Sequence, residues 1–422
     1  MIAYHTCPLA APGGKETGGM NVYVRELMRQ LGRRGLVVDC FTRSQSSLVP
    51  HIPDTDLGPN VRVIHVTAGD EAPLSKADAW SAVPDFVAGV RAFIASQGAR
   101  YDLYHSHYWM SGWAARELAR RRPAPIVHMF HTLGAMKDLA QGDGATAEIG
   151  PRRGVEAEIM AFADAIVAAT PIDRQHMVDL YGAEPGKIEV IPPGVDLRLF
   201  RPMDPRAARA HLGLDADHRM ILFVGRPDPV KGLDTLVRAM ALIIAAEPEL
   251  ARNSCLCIIG GDKTDDPAEM TAEMQRIHRL RENLGIADFV TLLGPQTQDE
   301  LPYFYNAAQV VVVPSRYESF GMVALEAMAC GAPVIASNVG GLATLVQDGR
   351  TGFLVPDGDP AALAARLRPI IDDPALRQAL GLHGVAVAEG YSWASIAGRI
   401  EQVYERLWAP ATSAAAPTDM LY

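Results

Sequence analysis

Val310-Val311-Val312-Val313-Pro314 leads into Ser315-Arg316-Tyr317-Glu318-Ser319-Phe320-Gly321, then into Met322-Val323-Ala324-Leu325-Glu326-Ala327-Met328-Ala329, and after a short turn into Val334-Ile335-Ala336-Ser337. An apolar run, a polar turn, a helical stretch and a second apolar run make one strand–helix–strand unit of a parallel sheet. Both runs are apolar at nearly every position, as expected of strands that helices cover on both faces. The turn carries the ionisable side chains. Glu318 is placed in the loop above the sheet and Glu326 about two turns into the helix. The amides near Phe320-Gly321 then face the crevice, where a helix N-terminus attracts an anion. Taken alone, two glutamates at helical spacing are usually a solvated face.

The same alternation extends in both directions. Runs at 2–5, 37–42, 61–66, 103–107, 126–131, 166–169 and 189–191 are read as strands of a first half. Those at 221–225, 256–260, 290–294, 310–314, 334–337 and 353–355 are strands of a second. Helical periodicity fills the intervals, for example at 20–34, 233–245, 268–284 and 322–329. Ile191-Pro192-Pro193-Gly194 breaks the pattern, and Phe200-Arg201-Pro202 leads into a fresh unit. Residues 1–193 are therefore expected to form one α/β domain and 194–391 a second. Residues 392–408 form a last helix that can cross back to the first domain. The Ala-, Thr-, Ser- and Pro-rich residues 409–422 read as a flexible tail.

Length and composition agree with this division. A chain of 422 residues exceeds what one core ordinarily organises, and two domains of about 200 residues fit it. With 49% hydrophobic and 21% charged residues it is globular rather than disordered. No apolar run approaches the roughly 20 residues that span a bilayer, and no leader-like segment precedes the first polar turn. A cytoplasmic protein without integral membrane association is expected. Lys+Arg 39 against Asp+Glu 49 gives −10, which argues against a nucleic-acid partner. Five cysteines make no disulfide framework, and Cys255 and Cys257, inside an apolar run, read as reduced core residues.

Four further stretches lie at strand ends. Gly13-Gly14-Lys15-Glu16-Thr17-Gly18-Gly19-Met20-Asn21 lies before the first long helix, where glycines let a ligand approach the backbone and helix amides face a phosphate. It is neither a dinucleotide fingerprint nor a P-loop. Gly225-Arg226, with Lys231-Gly232, lies at the carboxyl end of a strand, where open parallel sheets bind ligands. Arg226 offers a fork to phosphate oxygens and Lys231 a point charge. His131-Thr132-Leu133 ends another run, as does His105-Ser106-His107-Tyr108-Trp109. His105 and His107 share one side of their strand, the spacing of a metal pair. No cysteine or carboxylate completes a ligand set, so no metal is assigned and both are expected to be rim residues of a substrate cleft.

Together and in this order, Gly18-Gly19-Met20-Asn21, the His131 strand end, Gly225-Arg226 with Lys231-Gly232, and Glu318 to Glu326 resemble the retaining glycosyltransferases of family 4, GT-B fold. Pro192-Pro193-Gly194-Val195-Asp196, Val339-Gly340-Gly341 and Asp348-Gly349-Arg350-Thr351-Gly352 add to the likeness, which spans about residues 1–408. Within the family the chain is similar to the inositol-phosphate N-acetylglucosaminyltransferases of mycothiol biosynthesis and to bacterial sucrose-phosphate synthases. The shared pieces include His5-Thr6, Pro8-Leu9-Ala10, Val22-Tyr23-Val24, Phe41-Thr42-Arg43 and His131-Thr132-Leu133 with Lys137. Asp54-Thr55-Asp56, which matches the metal-holding motif of another glycosyltransferase architecture, sits in a proline-bounded loop and reads as turn chemistry. Arg116, Arg120, Arg121 and Arg122 read as a solvated helix end.

The resemblance implies two Rossmann-like parallel-sheet domains facing a central cleft, with the C-terminal helix crossing back. It implies an acceptor-binding first domain and a nucleotide-sugar-binding second domain. His131, Arg226, Lys231 and Glu318 are the implied catalytic residues. The donor would meet Gly18, Gly19, Asn21, Arg226, Lys231, Glu318, Ser319, Phe320, Gly321, Met322, Val323 and Glu326. An acceptor phosphate would meet Lys76, Tyr108, Thr132 and Arg152. Gln296 stands where the mycothiol-type pattern has arginine, so donor base and sugar stay open, with a UDP-sugar expected over GDP- or ADP-sugars. The implied reaction moves a hexosyl unit, with retention and no required metal or cofactor, to a small phosphorylated or polyol acceptor such as inositol phosphate or fructose 6-phosphate. A retaining disaccharide phosphorylase of the same fold and a non-catalytic sugar-nucleotide-binding homologue are the alternatives. A homodimer is left open.

Overall fold

The computed structural model describes residues 1–10, 18–141, 150–261, 264, 266 and 268–408. The tail at 409–422 and the first part of the glycine-rich turn, 11–17, lie outside them. In the first half the strands are β1 (Val38–Arg43), β2 (Val61–Val66), β3 (Tyr104–His107), β4 (Ile126–Met129), β5 (Ala165–Ala168) and β6 (Ile188–Val190). All pair in parallel, as β1 with β2 and in the order β3-β4-β5-β6. The strand expected at 2–5 is reduced to a β-bridge at Ile2, which touches both Phe41 and Ser106. Ile2 donates to the His105 carbonyl at 2.9 Å and Ala3 to that of Phe41 at 2.9 Å, so this short segment joins the two sheet pieces.

The second half holds β7 (Arg219–Val224), β8 (Ser254–Ile259), β9 (Val290–Gly294), β10 (Ala308–Val313), β11 (Val334–Ser337) and β12 (Gly352–Val355). Their order is β12-β11-β10-β7-β8-β9, again all parallel. Chain direction across the sheet therefore reverses between β7 and β10. Crossovers leave those two neighbours in opposite directions and open a crevice at their carboxyl ends. The matching reversal in the first half lies between the segment at Ile2 and β3. The helix expected at 268–284 begins at Ala272, because Thr271 before it is in extended backbone.

The first long helix, Gly19–Arg33, buries Val22, Tyr23, Val24, Leu27, Met28 and Leu31 on one face. The last, Trp393–Trp408, packs against it with Ile396, Ala397, Ile400 and Val403. The Tyr404 hydroxyl meets His105 Nδ1 at 2.5 Å, so the C-terminal helix closes over the β3 side of the first sheet. Trp393 is the pivot: it is 3% exposed, meets Tyr23 edge-on at 5.5 Å and fills the space over Gly194, where a Cβ would lie 2.7 Å from the indole. All five cysteines are free. Cys257 is buried as expected, but Cys255, near the start of β8, is only partly covered. No helix among the described residues is long and apolar enough to cross a membrane.

Replacing Trp393 by alanine empties this joint, and truncating a buried tryptophan costs about 3–5 kcal/mol. Trp393→Ala is expected to lower the denaturant midpoint clearly. An unchanged midpoint would remove Trp393 from this role.

Candidate active site

The reversal between β7 and β10 brings the second-half motifs together. After β7 the chain passes Gly225 and the exposed Arg226 to a 3-10 turn at Pro229–Lys231. After β10 it forms the loop bearing Glu318. Lys231 Nζ donates to Glu318 Oε2 at 2.6 Å, with both side chains partly exposed. Arg316 fastens the same loops from outside, donating its amide to the Val230 carbonyl at 2.7 Å and its guanidinium to Asp234 at 3.0 Å. One glycine permits this closeness, and a second lets the turn after β11 approach the Glu318 loop. At Gly232, with φ +63°, a Cβ would stand 2.0 Å from the Pro314 carbonyl; at Gly340, with φ +47°, 2.0 Å from that of Glu318.

Gly321 caps the helix Met322–Ala329, so Glu326 lies just over one turn into it, nearer than the two turns expected. Glu326 is buried and accepts from the Tyr305 hydroxyl at 2.8 Å; burial pushes its carboxyl up to about 7. Together with Met322 it lines a cavity of about 1110 Å³ between the two halves, walled opposite by Arg25, Glu26 and Arg29 and closed by Gln296 to Asp299. A Cβ on Gly19 would lie 3.5 Å from Met322, so the Gly18-Gly19 turn faces the Glu318–Glu326 segment across the cleft. Asn21 shapes that turn. Its Oδ1 accepts from the Gly18 amide at 3.0 Å, and its Nδ2 donates to Thr6 Oγ1 at 2.8 Å and the Cys7 carbonyl at 2.7 Å.

The first-half wall is built at the carboxyl ends of β3 and β4. Tyr108 and His131 follow these strands and are the described non-glycine residues with positive φ, 74° and 61°. Such backbone costs about 1–3 kcal/mol per residue and gathers at functional sites. Arg152 draws three of the four residues expected at an acceptor phosphate into one cluster. It donates to the Thr132 carbonyl at 2.6 Å, to Thr132 Oγ1 at 3.1 Å and to the Tyr108 hydroxyl at 3.3 Å, and lies over the Tyr108 ring. The fully buried Glu156 accepts from Arg152 Nε at 2.7 Å and holds it in place. Lys76 belongs to another element, opening the short helix Lys76–Ser81.

His131 Nε2 and His107 Nδ1 are 3.1 Å apart, and Tyr23 meets the His131 ring edge-on. Burial lowers the His131 imidazole to about 3, so it is neutral at ordinary pH. His105 and His107, expected at a cleft rim, are instead 1% and 0% exposed: the C-terminal helix covers the former, and the latter stands behind His131. Among the described residues no group of three or more His, Cys, Asp or Glu is placed to hold a metal ion. Asp56 instead pairs with Arg29 at 2.9 Å, and Arg116 and Arg120 make surface ion pairs with Glu158 and Glu117.

Residues 17–199 match the family described as Glycosyltransferase Family 4, and residues 204–387 that described as Glycosyl transferases group 1. The D-inositol 3-phosphate glycosyltransferase 2 of Catenulispora acidiphila is 43% identical over 410 residues, covering 96% of this chain and 94% of the relative. This chain belongs to the family 4 glycosyltransferases. It is a glycosyltransferase of the GT-B fold. A second relative, the D-inositol 3-phosphate glycosyltransferase of Kineococcus radiotolerans, is 43% identical over 96% of the glycosyltransferase and 94% of its own length. Among solved structures, the sucrose-phosphate synthase of Thermosynechococcus elongatus superposes with a TM-score of 0.87 at 36% identity, covering 97% of this glycosyltransferase and 98% of the synthase. Anabaena HepE in complex with UDP-glucose superposes with a TM-score of 0.71 at 19% identity, covering 94% and 98%, and shares the fold.

Sequence reading missed one residue of the glycosyltransferase cleft. Ser319 Oγ donates across it to Asp173 Oδ2 at 2.6 Å, while Asp173 Oδ1 is buried without a hydrogen bond. In sequence Asp173 passes as a helix-start residue, its amide donating to Thr170 Oγ1 at 3.1 Å, and nothing local marks its carboxyl as a contact with the second half of the chain. Burial pushes that carboxyl up to about 7; Glu318 adds to the rise and the Ser319 bond opposes it. Because the folded-state value lies above the ordinary carboxyl range, Asp173 contributes stability that is complete at low pH and is lost as pH rises through about 7. Asp173→Asn, which keeps the uncharged form, is expected to gain in unfolding midpoint relative to the parent between pH about 5.5 and about 8. A difference constant over that range would refute the assignment.

Proposed function

We propose that this glycosyltransferase moves a hexosyl unit, with retention at the anomeric carbon, from a UDP-sugar to a small phosphorylated or polyol acceptor, with an inositol phosphate first among candidates and fructose 6-phosphate second. The observation that carries the reading is the placement of two chemistries on facing walls. The Lys231–Glu318 pair and the loop bearing Arg226 stand at the β7/β10 reversal, and the Arg152–Thr132–Tyr108 cluster stands at the ends of β3 and β4. The acceptor classes follow from the relatives, which are D-inositol 3-phosphate glycosyltransferases and a sucrose-phosphate synthase.

In this reading the departing diphosphate is neutralised by Arg226, Lys231 and the helix N-terminal amides at Gly321 and Gly18-Gly19, in a site that domain closure dries. Asn21, whose side chain is engaged within the turn, contributes by presenting those amides. Glu318 orients the transferred sugar next to Lys231. Glu326, with a carboxyl near neutral pH at the protonation midpoint, can accept from or donate to a ribose hydroxyl. His131, held neutral, hydrogen-bonds the sugar without competing with the diphosphate for charge. Ser319, Phe320, Met322 and Val323 complete the donor wall, and Lys76 swings to the acceptor phosphate. None of these side chains is disposed as an obvious nucleophile, which favours front-face substitution through an ion-pair-like state. We place the division between acceptor and donor domains at about residue 193, and the enzyme in the cytoplasm without integral membrane association.

Lys231→Ala is expected to lower turnover by about 10²–10³ with an unchanged unfolding midpoint, the cost of losing one charge-stabilising donor. Wild-type rates would remove Lys231 from the mechanism. Full activity is expected in EDTA; loss restored only by Mn²⁺ or Mg²⁺ would overturn metal independence. The substrate assignment is tested by crossing UDP-, GDP- and ADP-sugars with inositol phosphate and fructose 6-phosphate, read by nucleotide release and product mass. Turnover only with a disaccharide and free phosphate would instead identify a phosphorylase, and donor binding without turnover a non-catalytic homologue.

A further inference from the structure

The β7 and β8 strands run side by side toward the cleft in register, and their starts, remote from it, set Arg219 beside Ser254 and Met220 beside Cys255. His218, just before β7, therefore reaches the start of β8. Its Nε2 lies 3.0 Å from Cys255 Sγ. Cys257, two residues further along β8 and on the same face, places its own Sγ 3.3 Å from that of Cys255. The two thiols differ in surroundings: Cys257 is 5% exposed in the core, whereas Cys255 is half-covered at its edge. One partly exposed sulfur thus has a thiol neighbour and an imidazole, both able to donate a hydrogen bond to it. Such company favours thiolate over thiol.

We propose that Cys255 is a reactive thiolate and a modification site of this enzyme, taking hydroperoxides as its oxidant, with His218 and Cys257 as positioning residues. The thiolate attacks the peroxide oxygen. An S–O bond forms as the O–O bond breaks, the leaving hydroxide or alkoxide takes a proton to become water or an alcohol, and sulfur is oxidised by two electrons to the sulfenic acid. Cys257 serves as hydrogen-bond donor rather than as disulfide partner. Two residues along a strand, the Cα atoms are roughly 6.6 Å apart, at the upper edge of what a disulfide spans. The electrostatics agree with the geometry: the Cys257 hydrogen bond, followed by the His218 bond and charge, outweighs burial and lowers the Cys255 thiol below its ordinary value. Cys7, the other partly exposed cysteine, is shifted the opposite way by burial.

The test is residue-resolved alkylation of the full chain with iodoacetamide across pH, read by peptide mass spectrometry. The midpoint of the Cys255 rate profile does not depend on how accessible the sulfur is. It is expected about two units below that of an ordinary thiol near 8.5, and at pH about 6 the Cys255 rate should exceed that of an ordinary thiol of equal access roughly tenfold, after allowing for its weaker nucleophilicity. His218→Asn and Cys257→Ala should each move the midpoint upward, while Cys257→Ser, which keeps a donor, should restore part of the shift. With limiting hydrogen peroxide and dimedone, the adduct should form on Cys255 in preference to Cys7. A parent midpoint above about 8, or equal dimedone labelling of Cys7 and Cys255, would overturn the proposal without needing any variant to fold.

Discussion

The ion pair of Lys231 and Glu318 depends on a constraint that precedes either residue: two parallel strands, adjacent in the sheet and far apart in sequence, end at the same height with nothing between them. All-parallel sheets bury both faces, so they have little room for polar chemistry except beyond the strand ends. Where the order reverses, the crossovers diverge and the two turns meet each other. Gly232 beneath the Pro314 carbonyl shows how near they come. A 2.6 Å contact of opposite charges follows, and with it the orientation of the helix carrying Met322 and Glu326.

The first half applies the same rule with different groups. Its strand ends present Tyr108 and His131, both in strained backbone, and a guanidinium clamped by a fully buried carboxylate. Behind them lies a layer of imidazoles, His105 and His107, that burial keeps uncharged. At these strand ends the charge is thus confined to the Arg152–Glu156 pair, while the loops after β7 and β10 carry exposed and half-exposed cations.

How far the amino-acid sequence discloses this depends on how local each feature is. Strand and helix periods are local, so β9 and β11 fall at their expected residues. Glu318, Lys231 and Arg226 are legible because glycines and strand ends flank them. Contacts that join distant segments leave no such trace. Ser319 with Asp173 spans 146 positions, and His105 with Tyr404 spans 299. His105 was expected at a rim because its strand ends near the cleft, and only the packing of the last helix buries it. The segment at Ile2 read as a full strand because its composition is that of one, yet it makes little more than a bridge.

The seating of the C-terminal helix on the first sheet also bears on how the chain is made. Trp393, Ile396, Ile400 and Tyr404 cover a cluster begun by Tyr23 and Leu27, so that face of the first half stays open until residues 393–404 are made. During synthesis the second half can bury its own separate cluster around Leu236, Ile258 and Leu367 while that face still lacks its cover. A nascent chain stopped short of residue 393 exposes the apolar face of the helix Gly19–Arg33.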